Sequence, residues 1–303
     1  KHIIVDEFQD ISQARAKLLR KIQNENNSKL FCVGDDWQAI NKFNGGDISI
    51  FTLDFKRIFG YFERVDIDTT FRYSDNINNI SSNFIQKNPS QLKKTVKAVN
   101  KYKDIIRIYD GNNFHEVIKK VSKNNKNKVF IIGRYNSDKY DSNLKKRYFN
   151  SNIISNYEIN QLARKNSQIE YKTIHSSKGL EADVVLLINM FPGVLGFPSQ
   201  MQNDEIISIV LPNPEKFLDA EERRLMYVAM TRAKKEVHIF TGKGFFGSDF
   251  TKELQKDFPI LISENKNRKT NKQKRLCPIH KIELIKKNGY KGPFYGCPKW
   301  KPG

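Results

Sequence analysis

Two carboxylates, Asp6 and Glu7, stand directly behind the apolar run His2–Val5. Placed at the end of a buried strand, one acid can anchor the water shell of Mg²⁺, an ion that dehydrates reluctantly. Its neighbour can orient or deprotonate a water attacking a γ-phosphate. The plainer alternative is a pair of solvated acids at a strand end. A second polar turn follows the apolar run Leu30–Val33. Gly34 and Asp35 suit a sharp turn there, and Gln38 offers an amide to a phosphate oxygen. Phe43 lies in a polar, glycine-rich neighbourhood, where an exposed aromatic would serve as a stacking platform for a nucleic-acid base; an ordinary core anchor is the other reading. Trp37 reads as packing. Arg72 and Arg232 are distant in sequence, yet each carries the fork that grips phosphate oxygens and never loses its charge. Taken singly, either one reads first as a surface arginine in a salt bridge. Thr173, His175 and Ser176 follow an apolar stretch in a polar turn suited to phosphate or sugar contacts, with a structural hydrogen bond as the second reading of His175. Gly179 permits a close backbone approach.

These side chains need a frame that brings distant turns together. Strand-like runs occur at His2–Val5, Leu30–Val33, Ile105–Tyr109, Lys128–Ile132, Ile169–Tyr171, Asp183–Ile188 and Glu236–Phe240. Helix-like segments lie between them at Gln13–Ile22, Asp75–Gln86, Phe114–Val121 and Asp219–Ala233, the last with Leu225 and Val228 on one apolar face. Such alternation predicts an α/β protein with largely parallel sheets, and open parallel sheets bind ligands beyond the carboxyl ends of their strands. With 38% hydrophobic residues the 303-residue chain can build real cores. Its longest uncharged run, Val184–Asn203, is broken by Pro192, Gly193, Gly196 and Pro198, which excludes a bilayer helix there. The net charge of +20 favours a polyanionic partner, although Lys- and Asn-rich coding alone would raise it. Three cysteines make no disulfide framework and fit a reducing cytosol.

DEFQD followed by VGDDWQAI resembles motifs II and III of the UvrD/Rep-type superfamily 1 DNA helicases, in their helicase IV branch. TTFRYSDNI resembles motif IV, YKTIHSSKGLEADVVLLI motif V, and EERRLMYVAMTRAKKEVHIF motif VI; VFIIGRYNSD is similar to the strand opening the second motor lobe. The resemblance spans Lys1 to about Phe240. It implies RecA-like parallel sheets, a partial first lobe plus a complete second lobe, with ATP and Mg²⁺ between them and single-stranded or tailed duplex DNA as partner. It further implies Glu7 as general base, Asp6 as magnesium ligand, Arg72 and Arg232 as catalytic arginines on the γ-phosphate, and Gln38 as its sensor. Gly179 and Glu181 would serve the nucleotide, Glu181 at its sugar. Phe43, Thr173, His175 and Ser176 would serve DNA. Travel from 3′ to 5′ follows from the family.

The pattern has departures. No Gly-x-x-x-x-Gly-Lys-Ser/Thr occurs in these residues, so the phosphate-cradling loop is expected upstream of Lys1. Asn41 stands where many relatives carry tyrosine. Only 101 positions separate Arg72 from Thr173, which implies a slim second lobe. The expected division is 1–72 for the first lobe, 73–262 for the second, 263–276 for a basic linker and 277–303 for a small terminal module. That module resembles a topoisomerase-type zinc ribbon, with Cys277, His280 and Cys297 as three of the four ligands zinc requires. Two other functions remain open at this level: a DNA- or protein-binding module that hydrolyses nothing, and a subunit of a helicase–nuclease.

Overall fold

The computed structural model describes residues 1–101, 105–124, 126–139, 154–201, 211–213, 215–242, 247–259, 262–264, 285–289 and 292–298. The chain forms two compact units, Lys1–Glu264 and Asn265–Gly303. In the first, strand β1 (His2–Val5) leads into helix α1 (Gln13–Glu25), capped by the Ser12 hydroxyl, and returns as β2 (Lys29–Cys32). The two strands pair in parallel, His2 opposite Lys29 and Val5 opposite Cys32. Short helices α2 (Ile48–Thr52) and α3 (Phe55–Phe59) close this layer around Phe8, Ile11, Ala16, Ile50 and Phe59.

Next come β3 (Thr69–Ser74), α4 (Asp75–Ile85), β4 (Lys97–Asn100), β5 (Ile105–Tyr109), α5 (Phe114–Val121) and β6 (Val129–Gly133). Helix α6 (Asn156–Lys165) opens on a reciprocal cap between Ser155 and Glu158. It precedes β7 (Ile169–Thr173), the single-turn α7 (Ile174–Ser177), β8 (Ala182–Leu187), α8 (Ala220–Met230), β9 (Ala233–Phe240), α9 (Asp249–Asp257) and β10 (Ile262–Glu264). Among the described residues one sheet runs β10-β5-β9-β8-β6-β7 with every pair parallel, while β3 and β4 form a separate parallel pair. Both faces of the large sheet are covered, as a parallel sheet requires. Phe130, Ile132, Val185, Leu187, Val237 and Ile239 face one core with α4, α8 and α9. Val129, Ile131, Val184, Leu186 and Phe240 face the other with α5 and α6. The α/β architecture with parallel sheets is therefore present.

The expected strands all occur, shifted by one to three residues at some ends; Glu236–Phe240, for example, begins at Ala233. The expected helix Asp219–Ala233 is shorter, Ala220–Met230, and Leu225 and Val228 are both buried in one core, with burial extending further around the helix. Every residue of α8 from Arg223 to Met230 is buried. Arg223 and Arg224 tolerate that burial because each forms a two-pronged pair with a carboxylate, Glu253 and Glu215 respectively. Arg232 lies between α8 and β9, beyond the helix rather than in it. The expected division at 72/73 falls inside β3. No helix among the described residues is long and apolar enough to cross a membrane. In the second unit, β11 (Ile285–Gly289) and β12 (Gly292–Gly296) form an antiparallel hairpin. Cys277 and His280, named above as zinc ligands with Cys297, lie outside the described residues.

Candidate functional site

The carboxyl ends of β1 and β2 are stitched together, Val33 N donating to Val5 O and Phe8 N to Val33 O. This holds the turn after β1 beside the turn after β2. Asp6 is exposed, and its Oδ1 accepts the Glu7 backbone N–H at 2.8 Å. Glu7 adopts a left-handed backbone conformation (φ 50°), an arrangement that costs a non-glycine residue energy and concentrates at functional sites. Its Oε2 accepts from Gln9 Nε2 at 2.6 Å, and the Gln9 Oε1 accepts the Asp35 N–H at 3.0 Å. Gly34 packs close against this turn: a Cβ would meet Gln9 Oε1 at 2.6 Å, so the amide would have to shift.

From Asp35 the network continues. Asp35 Oδ2 accepts Gln38 Nε2 at 2.7 Å, and Gln38 Oε1 accepts Arg232 Nη2 at a long 3.5 Å. Arg232 is 1% exposed and also donates to the carbonyls of Val228 and Leu180. Burial and the nearby positive charge of Arg72 bring its guanidinium down to about 10, so it still carries its proton at neutral pH. The guanidinium is thus pre-aimed, with few alternatives in a buried site. Arg72, on β3, pairs with Glu181 at 3.3 Å, and Lys234 approaches the same carboxylate at 2.5 Å. The Lys234 bond, reinforced by Arg72, holds the Glu181 carboxyl below its usual range. Gly179 (φ 78°) makes the turn into this segment.

A second group lies on the Phe43 side. Phe43 is 59% exposed, so it is not a core anchor, and its ring meets that of His175 edge-on at 5.1 Å. His175 Nε2 lies 3.1 Å from the Ile40 carbonyl, a partner that can only accept, so this nitrogen carries the proton. Burial, aided by the charge of Arg134, lowers His175 to about 4; it is neutral at physiological pH. Thr173 and Ser176 cap each other across α7, which fixes the turn that presents His175. Trp37 is 1% exposed and packs against Tyr227, as packing residues do.

Several participants carry no signal in the motif reading. Lys178 reaches Glu7 Oε2 at 3.1 Å and Asp10 Oδ2 at 2.6 Å. Arg224 donates to the Ala39 carbonyl and to Gln91, and Lys94 pairs with Asp35 and the fully buried Asp36. Arg134 forms a two-pronged pair with Glu222. With Tyr135, Lys42, Phe217 and Glu221 it lines a cleft of about 300 Å³. For Arg134 a signal existed: it follows β6, and polar residues past the carboxyl end of a parallel strand are ligand candidates.

Sequence comparisons identify the family. Residues 1–59 match the UvrD/REP helicase N-terminal domain and residues 131–243 the UvrD-like helicase C-terminal domain. The chain belongs to the UvrD-like helicase family. It is 39% identical to DNA helicase IV of Escherichia coli over 249 residues, which is 80% of this chain and 34% of that protein. It is 49% identical to DNA helicase II of Rickettsia typhi over 67 residues, 22% of this chain and 9% of that protein. The ATP-dependent DNA helicase Rep of a Buchnera aphidicola strain is 39% identical over 80 residues, 26% and 10% respectively. The chain therefore spans about a third, at most, of the length of these curated relatives. Among the described residues of this UvrD-like chain no cluster of three or more His, Cys, Asp or Glu is arranged to hold a metal ion.

Proposed function

We propose that this chain supplies the hydrolytic carboxylates, the phosphate arginines and part of the strand-binding edge of an ATP-dependent DNA helicase that moves 3′ to 5′ on single-stranded or tailed duplex DNA. The observation that carries this reading is the unbroken polar path Glu7–Gln9–Asp35–Gln38–Arg232, which joins the turns after β1 and β2 to the α8–β9 connection. Asp6 has the donor chemistry for Mg²⁺, and the ion would supply charge neutralisation of the phosphates. Glu7 orients the attacking water. Arg232 and Arg72 face the γ-phosphate; Arg232, buried and held in place, stabilises developing charge without reorganising, while the half-buried Arg72 turns to it from Glu181. Gln38 contacts both Asp35 and Arg232, so a change in phosphate occupancy is felt on both sides. The same loop carries Phe43, the platform for a base. Glu181, held between Lys234 and Arg72, is released toward a nucleotide sugar when Arg72 turns to phosphate. Zinc held by Cys277, His280 and Cys297, with a further ligand, belongs to this proposal, as does a cytoplasmic location.

The test uses the full-length gene product. Glu7→Gln should retain ATP binding while kcat for DNA-stimulated hydrolysis falls by about 10²-fold or more, and Arg232→Ala should lower kcat by about 10³-fold. Hydrolysis at the wild-type rate in either variant would overturn the reading.

A further inference from the structure

Lys178 links the two halves of the site. It directly follows the single turn α7, whose residue His175 meets Phe43 and the Ile40 carbonyl on the strand-binding side. Three positions on, Lys178 turns to the acids after β1. Its ammonium lies 3.1 Å from Glu7 Oε2 and 2.6 Å from Asp10 Oδ2, with its side chain only 13% exposed. Gln9 Nε2 donates to that same Oε2 of Glu7. One oxygen of the water-orienting carboxylate is therefore doubly engaged, which holds the carboxylate in one rotation and leaves only Oε1 to accept from a water.

Asp10 is the alternative seat for the ammonium. Its Oδ2 already holds Lys178 and accepts Asn41 Nδ2 at 2.7 Å, and its Oδ1 is buried with no hydrogen-bond partner among the described residues. A buried, unpaired carboxylate oxygen carries a desolvation cost that a second ammonium contact would relieve. Asn41, by donating to Asp10 Oδ2, helps hold that carboxylate facing α7.

We propose that Lys178 is a positioning residue and a latch. In the arrangement seen, it occupies Glu7. When a DNA strand engages Phe43 and His175, the capped α7 turn moves as a unit and draws the ammonium wholly onto Asp10, freeing the Glu7 carboxylate to turn toward the attacking water. DNA stimulation of hydrolysis is thereby built into one turn. The proposal rests on the helicase reading above, since it needs Glu7 to serve a water.

The experiment measures kcat and KM for ATP in the full-length protein, with and without saturating oligo(dT). Lys178→Met should raise the DNA-free kcat about tenfold, change the DNA-saturated kcat by less than about threefold and leave KM for ATP unaltered, so that the stimulation ratio collapses. Lys178→Arg should preserve the wild-type ratio. Asp10→Asn should act oppositely: with Glu7 its remaining carboxylate partner, Lys178 stays on it, DNA-free kcat falls and the ratio grows. A proportional loss of both kcat values in Lys178→Met, or a ratio moving the same way in Lys178→Met and Asp10→Asn, would overturn the latch. Should Lys178→Met not melt cooperatively, Asp10→Asn decides, and an unchanged or smaller ratio rejects the proposal. Wild-type protein without DNA-stimulated hydrolysis rejects the helicase reading itself, and the latch with it. Unaltered stimulation in Lys178→Met rejects the latch alone.

Discussion

At the scale of single residues, His175 shows how one site can be read twice. The sequence offers it to DNA or to structure, and the geometry gives it a structural bond to Ile40 O while leaving its ring against an exposed aromatic. Its neighbours decide its charge. Burial comes first, then the positive charges of Arg134 and Lys178, against the single helpful carbonyl of Ile40, and together they bring it to about 4. The ordinary value is about 6.5. In the interval between, the unfolded chain takes up a proton that the folded chain refuses. The contribution of His175 to stability is therefore complete above about pH 6.5 and is lost progressively as the pH falls toward 4. His175→Gln keeps a donor for Ile40 O without a titrating group. Its melting temperature should accordingly fall less than that of the wild type between pH 7 and pH 4.5, as scanning calorimetry would show. Equal slopes would mean that the imidazole takes up its proton in the folded state.

At the scale of elements, the turn after β2 depends on a missing side chain. Gly34 lies so near the preceding turn that a Cβ would meet Gln9 Oε1 at 2.6 Å, Gln9 N at 3.1 Å and the Phe51 ring at 3.2 Å. Gln9 carries the path from Glu7 to Asp35. Gly34→Ala should thus cost about 1–3 kcal/mol through overpacking and lower kcat by displacing the Gln9 amide, readable in urea melts and in steady-state hydrolysis. Wild-type kcat would show that the path through Gln9 is dispensable. How far such elements are legible beforehand depends on their burial. Strands β5, β6, β8 and β9 announce themselves because a parallel sheet covered on both faces selects runs of apolar residues. Strand β3 does not, since among the described residues TTFRYS pairs only with β4, and of its own residues it buries only Tyr73 and Ser74. Helix α6 hid in a polar stretch, NYEINQLARK, although the Ser155-x-x-Glu158 signature of its start was there to be read. In the site, motif spacing named Asp6, Glu7, Gln38, Arg72 and Arg232 individually. Lys178–Asp10 and Arg224–Ala39 were illegible because they join positions 168 and 185 residues apart, and no local pattern encodes such a contact.

At the scale of the whole molecule, chemistry and charge occupy different parts of the chain. The path from Glu7 to Arg232 lies wholly within Lys1–Glu264. Residues 265–303, by contrast, hold twelve Lys or Arg against one acid, Glu283, and so contribute more than half of the net charge of +20. Phosphate neutralisation gives affinity without sequence preference and weakens as salt rises, by about 0.7 in the log–log slope for each phosphate contacted on a single strand. Ending the full-length protein after Glu264 should therefore weaken oligo(dT) binding in low salt and make its affinity less dependent on salt, by roughly two or more such contacts. The same truncation should leave kcat at saturating DNA within about twofold, because no member of the path is removed and saturation compensates for lost affinity. Binding isotherms across a salt series, paired with hydrolysis at saturating strand, separate the two effects. An unchanged salt slope would assign strand attraction to the first unit, and a collapsed kcat would mean that the terminal segment takes part in forming the cleft.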